Sequence, residues 1–354
     1  MNIEIHEFQP EDFANVMTLV KICYGDAAPS PERWRWRHFE FDPQDSTMFV
    51  AKHDNKIVGL RPMALFDYFL DGQPLKGALF SAVMVHPSYR RLGIFSRLVK
   101  ACMEEAWRRG AAFINTMPND ISYRGFIKLG WQDPGDRTLY VRPINLKALA
   151  RQKVHPAWLG IPLGFMTQGF VSLISPNPGK YRLSIAAVPE LSLEAADLSR
   201  RIGVRFDGLI LHRTHTWLTW RYKASPWNHY VRLEALSSDG RLKGYAVTNM
   251  NTQWGITTGY VVDILGETAE ARQALIEASV EHLREQGAQI CAAVMSPPEL
   301  MADFRTQGFF HIPQRISPKK FHTVYQPHPD YTATFDSVRS IDRWYQTLGD
   351  WDVI

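Results

Sequence analysis

The residues with the clearest chemical meaning are two consecutive arginines, Arg90 and Arg91, followed two positions later by Gly93. They lie between an apolar, strand-like run that ends at Pro87 and a segment whose apolar residues recur at helical spacing from Ile94 onward. The start of a helix exposes unpaired N–H groups and the positive end of the helix dipole. Glycine allows close backbone approach, and guanidinium groups suit phosphate oxygens. The pattern predicts a phosphate or pyrophosphate site, with a plain solvated turn as the alternative.

Several landmarks occur twice in the same order, which indicates an internal duplication. Trp36-Arg37 recurs as Trp220-Arg221, and the aromatic-x-x-x-Gly pattern of Phe126–Gly130 recurs at Phe304–Gly308. Each landmark is weak by itself, so coincidence is the alternative. A chain of 354 residues, at about 150 residues per domain, also fits two domains. A turn and a helix repeat as well: 54–59 and 98–110 in the first copy, 239–244 and 275–287 in the second.

Both copies alternate strand-like and helix-like segments, with a strand–loop–helix step at the centre, which is typical of a mixed α/β (α+β) fold. We predict a first domain over residues 1–146, an apolar linker over 147–180, a second domain over 181–325 and a tail over 326–354. Within the tail, a helix is expected over 337–348.

The segment around the arginines resembles the GNAT N-acetyltransferase superfamily. The central motif of that family, a strand and then Arg/Gln-x-x-Gly-x-Gly/Ala at the start of a helix, reads Arg90-Arg-Leu-Gly93-Ile-Phe95 here. The downstream Asn and aromatic-x-x-x-Gly-aromatic of the family read Asn119 and Phe126-Ile-Lys-Leu-Gly130-Trp131. The resemblance covers roughly the first 145 residues and extends weakly to the second copy through the duplication. It implies two tandem GNAT-like domains, distantly similar to the Eis-type and mycothiol-synthase-type arrangements, each a mixed, mostly antiparallel sheet flanked by helices.

The resemblance also implies a co-substrate, acetyl-CoA or another acyl-CoA. No metal is expected, because His212 and His215 have the spacing of a helical pair but no acidic third ligand nearby. Backbone groups of Val83 and Val85 would contact the pantetheine arm, and Asn119 would contact the CoA arm. Phe126 belongs to the same implied binding set. The pyrophosphate would be held by the backbone amides from Arg91 to Ser96, a run that includes Leu92, Gly93, Ile94 and Phe95, and Arg90 would add a cationic donor.

Two residues depart from the pattern of the family. Phe95 stands where the motif has Gly or Ala, and its large side chain argues against a second close approach of the backbone to the phosphate. Phe126 stands where many members have the Tyr that protonates the departing CoA thiolate, and phenylalanine has no proton to donate. Tyr123, one helical turn earlier, is the nearest substitute, with a half-buried packing role as the alternative. Ser122 or a water molecule could also serve.

A general base is missing from the position where many relatives carry a Glu. The central strand, 79–85, offers only Ser81 as a polar side chain. We therefore predict Ser81, Tyr123 and Glu40 as the catalytic set. For every candidate carboxylate, a simple surface role is the alternative. The other carboxylates that remain open are Asp42, Asp67, Asp120, Asp350 and Asp352.

The second copy lacks the basic turn. By the duplication, Glu267 aligns with Arg90, and Glu270 aligns with Gly93. A carboxylate about 4 Å from a phosphate charge would cost roughly 4 kcal/mol at an effective dielectric constant of 20. The second copy is therefore predicted not to bind CoA there and to have a structural or acceptor-shaping role.

Composition excludes several other classes of protein. Lys and Arg number 40 against 36 Asp and Glu, and no dense basic run points to nucleic acid. Three distant cysteines indicate a reducing, cytoplasmic location, and the first residues lack the apolar core of a signal peptide. A charge-free stretch over 154–179 is interrupted by Pro and Gly, so a membrane-spanning helix is not predicted.

The sequence is best interpreted as an acyl-CoA-dependent N-acyltransferase that acts on a primary amine of a small molecule. The alternative is an acyl-CoA-binding or scaffolding protein that has lost catalysis, which Phe126 and the acid-free central strand would favour. An aminoacyl-tRNA-dependent transferase is a weaker third hypothesis because it needs no CoA turn. The oligomeric state stays open, a homodimer included.

Overall fold

The structure is a computed structural model, and it describes residues 2–41, 45–145, 181–253, 256–317 and 319–350. The predicted linker over 147–180 and the last four residues of the predicted tail lie outside these ranges. The chain divides into two compact units, Met1–Gly135 with His322–Ser340, and Asp136–Phe321 with Ile341–Ile354. They are called the first and the second unit below.

Strands and α-helices alternate in both units. In chain order the strands are β1 (Glu4–Glu7), β2 (Ser46–His53), β3 (Lys56–Leu70), β4 (Gln73–Phe80), β5 (Met84–Val85), β6 (Phe113–Thr116), β7 (Gln132–Asp136), β8 (Thr138–Pro143), β9 (Leu183–Val188), β10 (Leu209–Leu211), β11 (Val231–Ser237), β12 (Leu242–Gln253), β13 (Ile256–Gly266), β14 (Ile290–Met295), β15 (Phe310–Ile312), β16 (His322–Pro327) and β17 (Trp344–Tyr345). The α-helices are α1 (Phe13–Tyr24), α2 (Pro31–Phe39), α3 (Ile94–Arg108), α4 (Asp120–Lys128), α5 (Leu193–Gly203), α6 (His215–Leu218), α7 (Ala269–Glu285) and α8 (Pro298–Thr306).

The first unit is built on one sheet in the order β1-β2-β3-β4-β6-β16-β7, with β5 paired to β3. Its hairpins close through tight turns: Asp54 and Asn55 both have positive φ, as do Asp71 and Gly72. Two consecutive residues with positive φ form the turn whose twist matches the strands it joins. The β4–β6 pair is parallel, whereas β1–β2, β2–β3, β3–β4 and β6–β16 are antiparallel.

Helices cover both faces of this sheet. Met48 and Val50 of β2 pack in a cluster with α1, while Ala51, one residue further along, packs in a cluster with Leu98 of α3. Because successive strand residues point to opposite faces, α1 and α3 lie on opposite sides of the sheet. The side with α3 also holds Phe126 of α4.

The second unit has a seven-stranded sheet in the order β15-β8-β14-β13-β12-β11-β9. Only β13–β14 is parallel among its pairs. The mixed α/β architecture with two tandem, mostly antiparallel sheets is therefore confirmed.

The two copies exchange one strand each. Strand β8, which follows the first copy in sequence, pairs with β14 and β15 in the second unit. Strand β16, which follows the second copy, pairs with β6 in the first unit. The units therefore differ from the predicted bounds of 1–146 and 181–325, because a strand's sequence pattern does not specify which sheet it joins.

The segment after β16 differs from its prediction. A helix over 337–348 is wrong: the chain forms short 3-10 turns at Thr334–Val338 and Ile341–Arg343, and then strand β17. Strand β17 pairs in parallel with β10 of the second unit, and its two aromatic side chains are buried. Among the described residues, no helix is both long and apolar enough to cross a membrane.

Candidate functional site

The turn before α3 has the geometry of an anion site. Gly93 has φ +75° and ψ 5°, and α3 begins at the next residue, Ile94. A left-handed residue followed by right-handed ones points successive N–H groups into one concave surface. A Cβ atom on Gly93 would meet nothing within 4 Å, so its left-handed backbone, rather than crowding, is what favours glycine here. Arg91 also has a positive φ, +66°.

Positive charge at this turn is not neutralised. Arg90 and Arg91 are exposed, and within the described ranges neither makes an ion pair. The first turn of α3 contains no acidic residue. Arg97 on the same helix is directed elsewhere, since its Nη2 donates to the carbonyl oxygen of Ile3 at 2.7 Å. Two free guanidinium groups therefore stand beside the positive end of the helix.

The central strand breaks just before this turn. β4 pairs with β6 as far as Phe80 and Thr116, and the Thr116 hydroxyl donates to the Phe80 carbonyl at 2.7 Å. Beyond Phe80 the chain leaves β6, and β5 pairs instead with β3 on the other side. The strands therefore diverge at 81–83. Val83 lies at this break and Val85 follows in β5, and both are half-buried; their contact with a bound arm stays a prediction.

Ser81 lies at the break and contacts a buried histidine. Its Oγ is 3.4 Å from Nδ1 of His38 on α2. His38 also packs against the ring of Trp34, with the ring centroids 4.3 Å apart. Its Nε2 atom is buried and has no hydrogen-bond partner in the part of the chain that the structure describes. Burial, reinforced by the positive charge of Arg37, holds the pKa of His38 well below its usual range, so the imidazole is neutral.

Most of the predicted carboxylates are exposed or already engaged. Glu40 is exposed at the C-terminal end of α2, and the structure does not show it beside Ser81. Asp67 is exposed, and the Asp120 carboxylate accepts a hydrogen bond from Nε2 of His322 at 3.0 Å. Asp42 and Asp352 lie outside the described residues. His38 was not predicted from the sequence, although it follows Trp34 by four positions and therefore shares its helix face.

Helix α4 holds the other predicted residues. The Asn119 side chain caps the helix by accepting from the backbone N–H groups of Ile121 and Ser122 at 3.1 and 2.9 Å. The hydroxyl of Tyr123 donates to Asp133, and its ring stacks on His322 at 4.2 Å. Both side chains thus have structural partners, and their roles toward a co-substrate stay predictions.

The two phenylalanines that depart from the motif pack on each other. The rings of Phe95 and Phe126 are 5.2 Å apart, edge to face, and Phe126 is 1% exposed. The Phe95 ring lies against Gly125, where an added Cβ would approach it to 2.9 Å. The large residue at position 95 is therefore accommodated by a glycine in α4.

A buried arginine stands beside these rings. Arg61 of β3 is 1% exposed, and its Cζ lies 4.5 Å from the ring centroid of Phe80 and 5.0 Å from that of Phe126. Its Nε and Nη2 atoms have no hydrogen-bond partner among the described residues. Burial lowers the pKa of Arg61 to about 10, which still leaves it charged at neutral pH. In the sequence, Arg61 could have been noticed as a charged residue in the middle of an apolar strand.

The comparisons with known proteins agree with this geometry. Residues 4–133 match the family model described as an acetyltransferase (GNAT) domain. Residues 4–133, which match this family model, are called the GNAT domain below. A comparison with curated proteins gives no match.

Solved structures extend the similarity beyond the GNAT domain. A probable N-acyltransferase from Enterococcus faecalis has a TM-score of 0.64 at 17% identity, covering 92% of this chain and 72% of its own. A GCN5-related N-acetyltransferase from Anabaena variabilis has 0.63 at 13%, covering 92% and 73%. A tandem GNAT protein from the clavulanic acid biosynthesis pathway has 0.56 at 13%, covering 92% and 98%. At these identities the similarity concerns the fold, and the predicted tandem GNAT arrangement is confirmed.

The second unit has a strand-to-helix junction without the basic turn. At its strand-to-helix junction Glu267 is held by Nε of Arg201 at 2.8 Å and by Nζ of Lys243 at 3.1 Å. Thr268 then caps α7 by accepting from the N–H group of Ala271. The junction therefore presents a paired carboxylate where the GNAT domain presents two free arginines.

The C-terminal segment 344–350 fills the break in the second unit. β13 pairs with β14 along three residues only, and the segment lies where these strands diverge. The N–H group of Gly349 donates to Val262 of β13 at 2.7 Å, while the carbonyl of Gln346 accepts from the N–H group of Ser296, just after β14, at 3.2 Å. The corresponding break at 81–83 in the GNAT domain has no such segment among its described strand partners.

A buried charge cluster fixes this segment. Arg213 binds Asp263 through two hydrogen bonds of 2.9 and 3.0 Å and also reaches Asp350 at 3.1 Å. Asp350 is thus engaged within the second unit. Within the described part of the chain, no group of three or more His, Cys, Asp or Glu side chains could hold a metal ion.

Proposed function

We propose that the protein is an acyl-CoA-dependent N-acyltransferase whose reaction takes place in the GNAT domain. The observation that carries this proposal is the turn at Gly93, where two unpaired guanidinium groups and the start of α3 adjoin the break in the central strand. Helix starts bind phosphate groups, and Arg adds charge-assisted hydrogen bonds to them. An elongated co-substrate with a phosphate-bearing end and an acylated arm suits this combination.

The chain's own residues would share the binding as follows. The backbone amides from Arg91 to Ser96 would hold the pyrophosphate with the Arg90 side chain beside them, and the backbone at Val83 and Val85 would hold the arm. The Phe95 side chain does not block this binding mode, because its ring packs against Gly125 of α4. Asn119 stays a predicted contact, with its side-chain oxygen already capping α4.

The acceptor would be a primary amine of a small molecule that enters at Ser81. Attack requires a neutral amine and an oriented thioester, and bringing both into one ternary complex supplies much of the rate. His38 is neutral and reaches Ser81, so it can take the amine proton directly or through the Ser81 hydroxyl. Glu40 and Tyr123 stay in the catalytic set as predictions. The Tyr123 hydroxyl would first have to exchange its bond to Asp133.

A second candidate is an acyl-CoA-binding or scaffolding protein that has lost catalysis. Two observations favour it: the Tyr123 hydroxyl is engaged, and Phe126, at the position of the usual proton donor, is buried and apolar. Both candidates share the turn at Gly93, so binding alone does not separate them.

Thiol release separates the two candidates. The full chain is incubated with acetyl-CoA, propionyl-CoA or succinyl-CoA and a panel of amino sugars, polyamines and amino acids, and free CoA is measured over time. Amine-dependent release supports the transferase. Binding of acyl-CoA with no release above the amine-free rate on every amine supports the scaffold.

A further inference from the structure

Arg61 is a buried cation in the GNAT domain with no acid beside it. Among the described residues no carboxylate pairs with its guanidinium, and its Nε and Nη2 atoms have no hydrogen-bond partner. The Cys102 thiol donates to the backbone carbonyl of Arg61 at 3.5 Å and leaves the guanidinium charge uncompensated. An isolated ionised group in a protein interior is strongly unfavourable unless it is paired and hydrogen-bonded. Such a group therefore indicates an anion that is present only at some stage of function.

Its position in the sheet indicates which anion. Gly59 and Leu60 of β3 pair with β5, and Met63 pairs with Phe80 at the end of β4. Arg61 and Pro62 are thus the β3 residues opposite the break in the central strand. The Pro62 carbonyl accepts from the Ser81 N–H group at 3.3 Å, which fixes β3 against the break.

The two faces at this break differ in chemistry. Ser81 is directed to His38 on the side of α2, whereas the neighbouring Phe80 is directed to Arg61 and Phe126 on the side of α3 and α4. A neutral imidazole therefore stands on one face and a guanidinium cation on the other. This division matches a reaction in which one partner loses a proton and the other gains negative charge.

Resting on the proposed function, we propose that the Arg61 guanidinium stabilises the negative charge of the departing CoA sulfur. The amine nitrogen forms a bond to the thioester carbonyl carbon, and the C–S bond breaks with its electron pair going to sulfur. The nitrogen proton leaves through His38 or water, and the thiolate pairs with Arg61, which stays protonated. The thiolate later takes its own proton from solvent.

This role explains how the chain can manage without the usual tyrosine. Phe126 cannot donate a proton, but a fixed cation next to its ring makes protonation of the thiolate unnecessary during bond breaking. Charges placed in a water-poor site before the reaction are most effective where the transition-state charge develops. The same environment makes Arg61 unfavourable while no ligand is bound.

The test compares CoA with desulfo-CoA, which has no sulfur, by titration calorimetry at pH 7 and pH 9. A cysteine thiol has a pKa of about 8.5, and the simple alkyl thiol of CoA ionises somewhat higher. The rise to pH 9 therefore increases the thiolate fraction of CoA while Arg61 stays charged. In the wild type the affinity ratio of CoA to desulfo-CoA should rise at least fivefold between the two pH values. In Arg61→Gln and Arg61→Met it should stay constant, with Arg61→Lys in between.

The variants must be folded for this comparison, so their thermal unfolding is followed in parallel. A pH-dependent ratio that survives in a folded Arg61→Gln or Arg61→Met variant would overturn the proposal, and so would a constant ratio in the wild type. If the wild type bound neither ligand at either pH, the proposed function itself would fail. Because Arg90→Glu should weaken both ligands equally, it separates loss of phosphate binding from loss of the sulfur contact.

Discussion

Nδ1 of His38 lies 3.4 Å from Oγ of Ser81, although the two residues are 43 positions apart in sequence. The contact joins α2 to the break in the central strand and places a neutral imidazole at the acceptor side of the proposed site. Proton transfer by a positioned side chain contributes about 10²–10⁴-fold to catalysed rates. The pair is therefore the first place to look for the missing base.

His38→Gln should lower kcat by about tenfold or more while the Kd for acyl-CoA changes less than threefold. Ser81→Ala should act in the same direction, and the double variant should lose less than the product of the two single losses, because the residues act together. Steady-state kinetics with the best amine of the panel measures this. His86→Gln serves as control, because it is the same substitution at a histidine just after β5, before the 3-10 turn Pro87–Tyr89. Independent, fully multiplicative losses would contradict a shared role.

Stability should depend on pH through His38. Burial lowers the pKa of His38 in the folded state. Below the unfolded-state pKa of about 6.5, the imidazole is therefore protonated in the unfolded chain but stays neutral in the folded chain. The stabilisation that depends on a neutral His38 ring is therefore fully present above about pH 6.5 and is lost as the pH falls. In His38→Gln the free energy of unfolding should decline less between pH 7 and pH 5 than in the wild type. Urea unfolding at both values measures the difference, and parallel declines would show that His38 is not buried.

Arg61→Met should leave the ligand-free protein as stable as the wild type or make it more stable. Replacing a buried charged group by an apolar residue of similar volume is often neutral or stabilising by about 1–4 kcal/mol. Thermal unfolding without ligand is the measurement, with Arg108→Met on the exposed end of α3 as control. A loss of more than about 2 kcal/mol would mean that Arg61 holds the core together.

Asp263→Asn should destabilise the second unit by about 3–5 kcal/mol, since it leaves Arg213 buried with an incomplete partner. Asp197→Asn, whose pair with Arg200 is exposed, should change stability by less than about 0.5 kcal/mol. Chemical denaturation of the full chain compares the two variants. Equal stabilities would show that the cluster does not fix the segment 344–350.

Local features of the fold could be predicted from the sequence, whereas distant contacts could not. The turn at Gly93 depends on neighbouring residues, and the structure places it at the junction where it was expected. The contact between His38 and Ser81 depends on how α2 packs over the sheet, which no spacing reveals. Trp344 and Tyr345 were predicted to be helical, but in the structure they are buried and form a strand, because tertiary packing overrides local preference.

The exchange of β8 and β16 has the same cause. Both strands have ordinary strand sequences, which do not specify the sheet that each one joins. The landmarks of the predicted duplication could be found because each lies within one element or at its end, as Phe126–Gly130 does at the C-terminal end of α4.

The central claim is that the GNAT domain alone binds acyl-CoA, at the turn of Arg90 and Gly93. Calorimetric titration of CoA into the full chain tests this claim most directly. The wild type is compared with Arg90→Glu and with Lys100→Glu, a charge reversal of the same kind at an exposed residue of α3. We expect one site per chain, at least tenfold weaker binding in Arg90→Glu, or about 1.4 kcal/mol, and less than threefold change in Lys100→Glu. Two sites per chain, or equal affinity in both variants, would contradict the account.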